Sequence, residues 1–405
     1  MKIAILHSAN QGFFPRFYQS LKESIEKYGD ECILLSPKSG INIRNKLPNQ
    51  ILWGTRLNWF IHHFLYKITG LQDIFSHIDT KLLIQVLKRE KPNIIHFNII
   101  NDQNTNIPML VKYANKHNIP IIWTMHDCRA FTGRCAYFDE INCSKWKDGC
   151  GNCPQKELYM PTWIDSSHKE WKIRKRWHTA FEHLTIVTPS IWLSQFVNQS
   201  FFKGTTTKVI YNGISLDNFS TKKNINIKKQ HNIKDEIHVI LGVSANWEFR
   251  KGIKYFIDLS NIITDKYKIV LIGNMPFSIK ENLTSNILYI EQTTNVQELA
   301  AWYQAASVFV NPTLADNFPT TNIEALASGT PVITFKTGGS IEAIDEHTGI
   351  IVEKKDANLI FNAIERICNS TNDFTEEMCK KRSQLFSNMQ YDHYVNLYHS
   401  IIEKK

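Results

Sequence analysis

Short apolar runs alternate with helical patterns along this chain, and no other feature of the sequence limits the fold as strongly. Runs with the length of buried strands occur at residues 2–6, 93–97, 119–125, 184–190, 208–213, 237–245, 268–273, 287–290, 307–312, 331–335 and 349–353. Helical patterns lie between many of them. One covers residues 15–29, where Phe17, Leu21, Ile25 and Tyr28 share one face and Gly29 ends the helix. Because parallel strands need such crossovers, the alternation predicts an α/β protein with two doubly wound, Rossmann-like sheets.

The length of the chain also favours two domains, since 405 residues at 43% hydrophobic content exceed what one small core needs. Residues 216–236 are polar, rich in Lys and Asn, and poor in apolar periodicity, which is typical of an exposed linker. We therefore expect a first domain over residues 1–215 and a second over residues 237–385. A closing helix is expected within residues 386–405, and packing against the first domain is one option for it.

Basic residues are concentrated in the first half. Residues 1–215 contain 27 Lys and Arg against 16 Asp and Glu, whereas residues 216–405 contain 20 against 22. This asymmetry favours an anionic partner for the first half, whether nucleic acid, a membrane surface or a phosphorylated substrate, and a merely solubilising surface is the alternative. Two aromatic segments, residues 53–70 and 163–181, fit a lipid headgroup boundary or, equally, packed helices with a solvated face.

The chain lacks any run of about 18 uninterrupted apolar residues that could cross a bilayer. Its first apolar run, residues 3–6, is too short for a secretory signal and is interpreted as a buried strand. We therefore expect a cytoplasmic protein.

Residues 310–335 carry the clearest indication of a binding site. A strand is predicted to end near Pro312, and a helix to begin after Pro319, with Asp316 in the loop and Glu324 about one turn into the helix. The free N–H groups and positive dipole end of a helix N-terminus bind anions, while carboxylates accept hydrogen bonds from hydroxyl groups. The segment thus predicts a ligand with both phosphate and sugar groups.

The pattern Asp316-x7-Glu324 followed by ALASGTPVI closely resembles the Glu-x7-Glu signature of glycosyltransferase family 4, whose members are retaining, nucleotide-sugar-dependent enzymes of the GT-B fold. Four further segments resemble the family in the family's own order: residues 123–127, 210–219, 249–259 and 337–344. The resemblance implies two Rossmann-like domains with a deep cleft between them.

The resemblance also implies roles for single residues. Lys251 matches the lysine that neutralises the donor diphosphate, Asp316 the acid held against the donor sugar, and Glu324 the acid that holds the nucleotide ribose. His126 matches a histidine at the interdomain cleft near the reacting centre, although a histidine at a strand end is also commonly a core residue. The loop whose amides meet sugar and phosphates is matched by Asn317, Phe318, Thr320 and Thr321.

Three positions depart from the family pattern. Asp316 is one methylene shorter than the usual Glu, and Ala245 stands where relatives often have an additional Arg. Arg250, beside Lys251, is the candidate to replace that Arg. Gly12 is the single glycine of a loop that has two or three in many relatives, so a donor-binding loop and a structural turn are both open.

The implied activity is transfer of a sugar, with retention and without a metal cofactor, from a nucleotide-diphosphate sugar to an acceptor sugar. The acceptor is commonly lipid-linked in such enzymes, which implies surface-polysaccharide assembly at the inner face of the cytoplasmic membrane. A nucleotide-sugar epimerase or a phosphorylase on the same fold is one alternative. A basic, Cys-rich nucleic-acid-binding protein is another, but it leaves residues 310–335 unexplained, so no nucleic acid is expected.

Five of the eight cysteines fall within 26 residues, inside a predicted insertion over residues 128–160. Cytosolic disulfides are rare, and clustered thiols with a C-x-x-C pair are typical of zinc ligands. A closed structural Zn²⁺ site is therefore expected at Cys135, Cys143, Cys150 and Cys153. Packing cysteines and two disulfides are the alternatives.

Overall fold

The computed structural model describes residues 1–100, 104–221, 225–370 and 372–404. The chain divides into two compact units, residues 1–211 together with 391–405, and residues 212–390. Each unit is built on one parallel sheet, which confirms the predicted α/β class with two doubly wound domains.

The first unit contains a seven-stranded sheet with the order β3-β2-β1-β4-β5-β6-β7. Its strands are β1 (Lys2–Leu6), β2 (Glu31–Pro37), β3 (Gln50–Trp53), β4 (Ile94–Phe97), β5 (Ile121–Thr124), β6 (Leu184–Thr188) and β7 (Thr206–Val209). Its helices up to residue 211 are α1 (Phe14–Lys27), α2 (Gly40–Arg44), α3 (Arg56–Thr69), α4 (His77–Glu90), α5 (Ile107–Lys116), α6 (Ser167–His178) and α7 (Ile191–Gln199). The strand order reverses between β1 and β4, where Ile3 pairs with Ile94.

Residues with known preferences for helix ends mark where the helices of this unit begin and end. Helix α1 has Pro15 in its first turn and buries Phe17, Leu21 and Ile25 against the sheet, as predicted. Tyr28, predicted on the same face, is instead 46% exposed, because the helix ends at Lys27. Helix α3 begins after Thr55, whose hydroxyl accepts a hydrogen bond from the Asn58 N–H at 3.2 Å, and ends at Gly70 in the left-handed conformation.

The second unit contains a six-stranded sheet with the order β10-β9-β8-β11-β12-β13. Its strands are β8 (His238–Asn246), β9 (Tyr267–Asn274), β10 (Ile287–Ile290), β11 (Val308–Asn311), β12 (Val332–Phe335) and β13 (Gly349–Val352). Its helices are α8 (Asp217–Ser220), α9 (Ile227–Gln230), α10 (Ile253–Ser260), α11 (Phe277–Lys280), α12 (Val296–Ala305), α13 (Thr320–Ala327), α14 (Ala357–Asn369) and α15 (Glu376–Ser383). Residues 239–242 of β8 and 269–273 of β9 are buried, as a sheet covered on both faces requires.

Helix α16 (Gln390–Glu403) closes the described chain and belongs to the first unit. It buries Tyr391, Tyr394 and Tyr398 in the cluster formed by α1 and β1. The Tyr398 hydroxyl and His96 Nδ1 form a hydrogen bond of 2.8 Å in the sheet interior. Lys405, the last residue of the predicted closing segment, lies outside the described residues.

The segment predicted as an exposed linker, residues 216–236, packs in part against the second unit. Phe219 on α8 and Ile227 on α9 are buried, and the Gln304 side chain donates hydrogen bonds to the carbonyls of Phe219 and Thr221. The two apolar side chains therefore fix α8 and α9 to the second unit, whose first residue is Asn212. Residues 222–224 of the predicted linker lie outside the described residues.

No helix in the described ranges is both long enough and apolar enough to span a lipid bilayer.

Candidate functional site

The loop between β11 and α13 is held in place by the buried side-chain amide of Asn322. Asn322, on the first turn of α13, accepts a hydrogen bond from Asn311 at 2.8 Å and donates one to the Ser340 carbonyl at 3.0 Å. These bonds connect the end of β11, the start of α13 and the turn after β12. Residues 312–319 are thus held at both ends, which fixes the position of Asp316.

Lys251 and Asp316 meet at this loop. Lys251 Nζ lies 2.6 Å from Asp316 Oδ2, and both side chains remain partly accessible. Arg250 donates a hydrogen bond from its guanidinium to the Ala315 carbonyl at 2.8 Å, while its own carbonyl accepts one from the Leu314 N–H. The segment before α10 and the loop before α13 therefore form one rigid, partly charged surface at the positive end of the α13 dipole.

Two glycines allow this close approach. A Cβ on Gly252 would lie 2.0 Å from the Pro312 carbonyl oxygen, and one on Gly338 would lie 1.8 Å from the Asp316 carbonyl oxygen. Both residues also have positive φ, at 75° and 54°. Both glycines lie in segments that carry the family resemblance, residues 249–259 and 337–344, but neither was predicted as a site residue.

Glu324 is buried one turn into α13. Its Oε2 accepts a hydrogen bond from the Tyr303 hydroxyl at 3.0 Å. Tyr303, on α12, was not predicted to belong to the site, because residues 21 positions apart in sequence give no local pattern that pairs them. Its ring also packs edge-on against Phe309, so the Glu324 carboxylate is held by a side chain that is itself fixed.

The remaining residues of the predicted donor loop take different positions. Asn317 is buried, and the ring of Phe318 packs against Phe386 with the centroids 5.3 Å apart. Thr320 and Thr321 form the first turn of α13 and are half-buried. The first N–H groups of a helix have no partner within the helix, so this turn offers donors to an anion.

His126 and Gly12 both lie in the first unit. His126 follows β5, is half-buried and lies edge-on to Phe17, and burial lowers its pKa to about 4. It lines a small pocket together with Asn98, Asp127 and Arg129. Gly12 lies in the exposed turn between β1 and α1 with a φ of 62°.

The four cysteines predicted to bind zinc are all reduced, in a segment that has only one 3-10 turn, Cys128–Ala130. The Gly133 N–H donates a hydrogen bond to Cys150 Sγ at 3.2 Å. A hydrogen bond between the thiols of Cys135 and Cys153 lowers the pKa of Cys153 to about 6 and raises that of Cys135.

In the part of the chain that the structure describes, no group of three or more Cys, His, Asp or Glu side chains is arranged to hold a metal ion. The Zn²⁺ site at Cys135, Cys143, Cys150 and Cys153 stays a prediction. The zinc content of gently purified protein tests the prediction directly, since a four-thiolate site requires one equivalent.

Comparison with known proteins places this site in a family domain. Residues 237–370 match the family described as "Glycosyl transferases group 1". The putative colanic acid biosynthesis glycosyl transferase WcaC of Escherichia coli K12 is 22% identical over 317 residues, which cover 76% of this chain and 75% of that protein. The capsular polysaccharide biosynthesis glycosyltransferase CapM of Staphylococcus aureus is 32% identical over 170 residues, which cover 39% of this chain and 44% of that protein.

Solved structures agree over the whole chain. Sucrose-phosphate synthase from Thermosynechococcus elongatus superposes with a TM-score of 0.72 at 18% identity and covers 100% of both chains. Anabaena HepE in complex with UDP-glucose superposes with a TM-score of 0.68 at 13% identity and covers 99% of both chains. These likenesses establish the GT-B fold. Residues 237–370 form a domain of the glycosyl transferases group 1 family, and the protein is a glycosyltransferase.

Proposed function

We propose that the protein transfers a sugar from a nucleotide-diphosphate sugar to an acceptor glycan, with retention of the anomeric configuration. The observation that carries this proposal is the pairing of Lys251 with Asp316 beside the N-terminus of α13. A cation, the N–H groups of a helix start and a carboxylate suit a diphosphate joined to a sugar. HepE, whose structure holds UDP-glucose, has the same fold.

In the proposed reaction the bond between the anomeric carbon and the β-phosphate oxygen breaks, and its electron pair leaves with the nucleoside diphosphate. The acceptor hydroxyl oxygen forms the new bond on the same face, and its proton passes to the departing phosphate. Lys251 and the first turn of α13 stabilise the negative charge that develops on that phosphate. Asp316 holds the donor sugar, and Glu324, positioned by Tyr303, holds the ribose.

The proposal assigns the remaining predicted residues to supporting roles. Arg250 fixes the loop that carries Asp316, and the backbone of residues 317–321 contacts sugar and phosphate. We assign His126 of the first unit to the acceptor as a neutral imidazole, because its lowered pKa keeps it unprotonated at pH 7. We propose no catalytic metal.

We also propose a role in polysaccharide biosynthesis, since the names of WcaC and CapM place those relatives in that process. The acceptor is then a glycan, carried on a lipid, and the enzyme works in the cytoplasm at the inner face of the cytoplasmic membrane. Transfer assays that compare a polyisoprenyl-diphosphate-linked saccharide with the free saccharide distinguish a lipid-linked from a soluble acceptor.

A thermal-shift screen of nucleoside diphosphates and their sugars tests the donor site. A ligand at 100 times its Kd stabilises the folded state by about 2.7 kcal/mol, so one cognate nucleotide should raise Tm by several degrees. Lys251→Ala should remove most of the shift. Lys254→Ala is the matched control, because Lys254 lies three residues away and forms an exposed ion pair with Asp258. A shift that survives Lys251→Ala, or no shift with any nucleotide, would contradict the proposal.

Retention is tested separately on the product. Nuclear magnetic resonance of the glycoside formed from an α-linked donor should show an α-linkage, and a β-linkage would exclude the same-face reaction. Formation of a free epimeric nucleotide sugar without acceptor would instead identify an epimerase.

A further inference from the structure

Helix α3 exposes an apolar face to solvent. Leu57, Phe60, Ile61 and Phe64 follow one another at helical spacing, so they share one side of the helix. The exposed fractions are 70% for Leu57, 61% for Phe60 and 58% for Phe64. Contiguous apolar surface of this kind on a folded domain marks an interaction site rather than an ordinary solvent boundary.

The opposite face of α3 is anchored, so the apolar side cannot turn inward. His62 is buried, and its Nε2 is hydrogen-bonded to the Gln72 carbonyl at 2.7 Å. Asn58 donates to Asp79 Oδ1 at 2.7 Å, and the buried Tyr66 hydroxyl donates to the Met160 carbonyl. These bonds fix the rotation of the helix about its own axis.

The loop over residues 158–164 extends the apolar face beyond the C-terminal end of α3. The Trp163 N–H donates to the Lys67 carbonyl at 3.1 Å, and Lys67 Nζ donates to the Pro161 carbonyl at 2.8 Å. Trp163 is 69% exposed, and Leu158 and Ile164 are also exposed. Helix and loop thus form one surface, which we call the α3 face: Leu57, Phe60, Ile61, Phe64, Leu158, Trp163 and Ile164.

The charge around the α3 face favours an anionic partner. Residues 32–72 contain five basic residues and no acidic residue. Arg56 begins α3 and Lys67 lies in its last turn, so a cation flanks the apolar side at each end. Residues 158–164 contain no acid; of the acids on either side, Glu157 is paired with Lys156 at 3.0 Å and Asp165 lies 4.0 Å from the Arg134 guanidinium.

The basic, Trp-containing segment 163–181 behaves differently. Trp171 and Arg174 on α6 are buried, and Arg174 is enclosed by Asp73 at 3.0 Å and Glu170 at 3.2 Å. Of the two interpretations of this segment, packing with a solvated face therefore describes α6. The exposed apolar residues of the segment, Trp163 and Ile164, precede α6 and belong to the α3 face.

We propose that the α3 face docks on the surface of an anionic lipid bilayer. Apolar and aromatic side chains enter the boundary between headgroups and acyl chains, while the flanking cations contact lipid phosphates. An amphipathic helix of this type lies in the plane of the interface. This inference deepens the proposed function, because a lipid-linked acceptor would be presented at the same surface, but the binding it describes does not depend on the donor.

Sedimentation with sucrose-loaded vesicles tests the proposal. The wild-type protein should pellet with vesicles containing phosphatidylglycerol, less with pure phosphatidylcholine, and less at high salt. The triple variant Leu57→Gln/Phe60→Gln/Phe64→Gln should lower the partition coefficient by about 30-fold or more, since three apolar side chains no longer leave water on binding. Because these side chains are exposed, its Tm should stay close to that of the wild type.

The control is Phe277→Gln/Met389→Gln, which replaces two comparably exposed apolar side chains of the second unit and should bind vesicles as the wild type does. Absence of wild-type binding to anionic vesicles, or unchanged binding by the triple variant, would overturn the proposal. Light scattering that shows a dimer dissociated by the triple variant, with no vesicle binding, would assign the face to a second copy instead.

The nucleotide-dependent thermal shift separates the two proposals. A triple variant that keeps the shift but loses vesicle binding supports the docking face. A wild-type protein that binds vesicles but shows no nucleotide shift retains the docking face and contradicts the donor site.

Discussion

The two units of this glycosyltransferase use similar sheets but place their chemistry in different ways. In the second unit, charged side chains lie on loops that backbone contacts hold closely, as at Gly252 and Gly338. In the first unit, titratable side chains are buried within the fold, with His7, His62 and His96 all under 5% exposed. The difference indicates that the charged loops of the second unit are fixed by backbone packing, whereas the stability of the first unit is the more sensitive to protonation.

The largest expected difference between the two units is in their stability at low pH. Burial lowers the pKa of His7 and His96 to about 3 and that of His62 to about 4. Because the unfolded histidines still protonate near pH 6.5, each costs the first unit about 1.4 kcal/mol of stability per pH unit as the pH falls from 6.5 towards 4. Glu170, whose pKa burial raises to about 8, offsets part of this loss.

Tryptophan fluorescence measures this loss, since eight of the ten tryptophans lie in the first unit. Hydrogen exchange should show that protection is lost in the first unit before the second, and His96→Gln should flatten the pH dependence. Simultaneous loss of protection in both units would show that the histidines do not control it.

Replacing the buried Asp73 of the first unit should lower the free energy of unfolding by nearly as much. Asp73 Oδ2 lies 3.0 Å from Arg174 Nε and 3.1 Å from His178 Nε2, and all three side chains are buried. Asp73→Ala leaves the buried Arg174 guanidinium beside only Glu170, whose raised pKa favours the neutral acid. We therefore expect a loss of about 3 kcal/mol in the free energy of unfolding. Urea denaturation measures it, with the exposed Asp148→Ala as control. Equal losses in both variants would argue against the burial effect.

In the second unit, the matching test is substitution of Lys251, which should affect catalysis and not stability. Lys251→Ala should lower kcat by about 10²–10³-fold, the cost of removing one charge-stabilising group from a transition state. Its Tm without nucleotide should change little, because the side chain is partly exposed. Steady-state kinetics with the cognate donor measures the effect, and Lys254→Ala should keep wild-type kcat. A Lys251→Ala enzyme with near-normal kcat would exclude the proposed role in leaving-group stabilisation.

Gly12→Ala should have the smallest effect of these changes. A Cβ there would meet no atom within 4 Å, so the cost is that of the left-handed conformation alone, about 1 kcal/mol. Gly204→Ala is matched to it in conformation and open space. Comparison of the two variants by Tm and by donor affinity decides the role of the turn: a loss of affinity confined to Gly12→Ala indicates a donor contact, whereas equal behaviour indicates a structural turn.

The sequence predicted those parts of the fold that local patterns specify. The bounds of β1 and β10 agree with the prediction, because both are short, continuous apolar runs. Strands β2 and β3 were not predicted, since ECILLSP and QILW contain polar residues and Pro. Strand β7 lies at residues 206–209 and not over 208–213, because this polar edge strand takes its position from pairing with β6.

Some residues of the candidate site could also be predicted from local patterns, and others could not. Lys251, Asp316 and Glu324 could be identified from motifs, because their spacing along the chain is fixed. Tyr303, which holds Glu324, and the glycines at 252 and 338 depend on contacts between distant segments. No local pattern contains such contacts, so only the structure could identify these residues.

Helix α16 has a consequence for synthesis of the chain. On the ribosome, residues 1–211 emerge first, yet the apolar surface beneath Tyr391, Tyr394 and Tyr398 stays uncovered until the last helix leaves the exit tunnel. The second unit is continuous in sequence and is complete before that helix is translated. The half of the protein that is made first is therefore finished last.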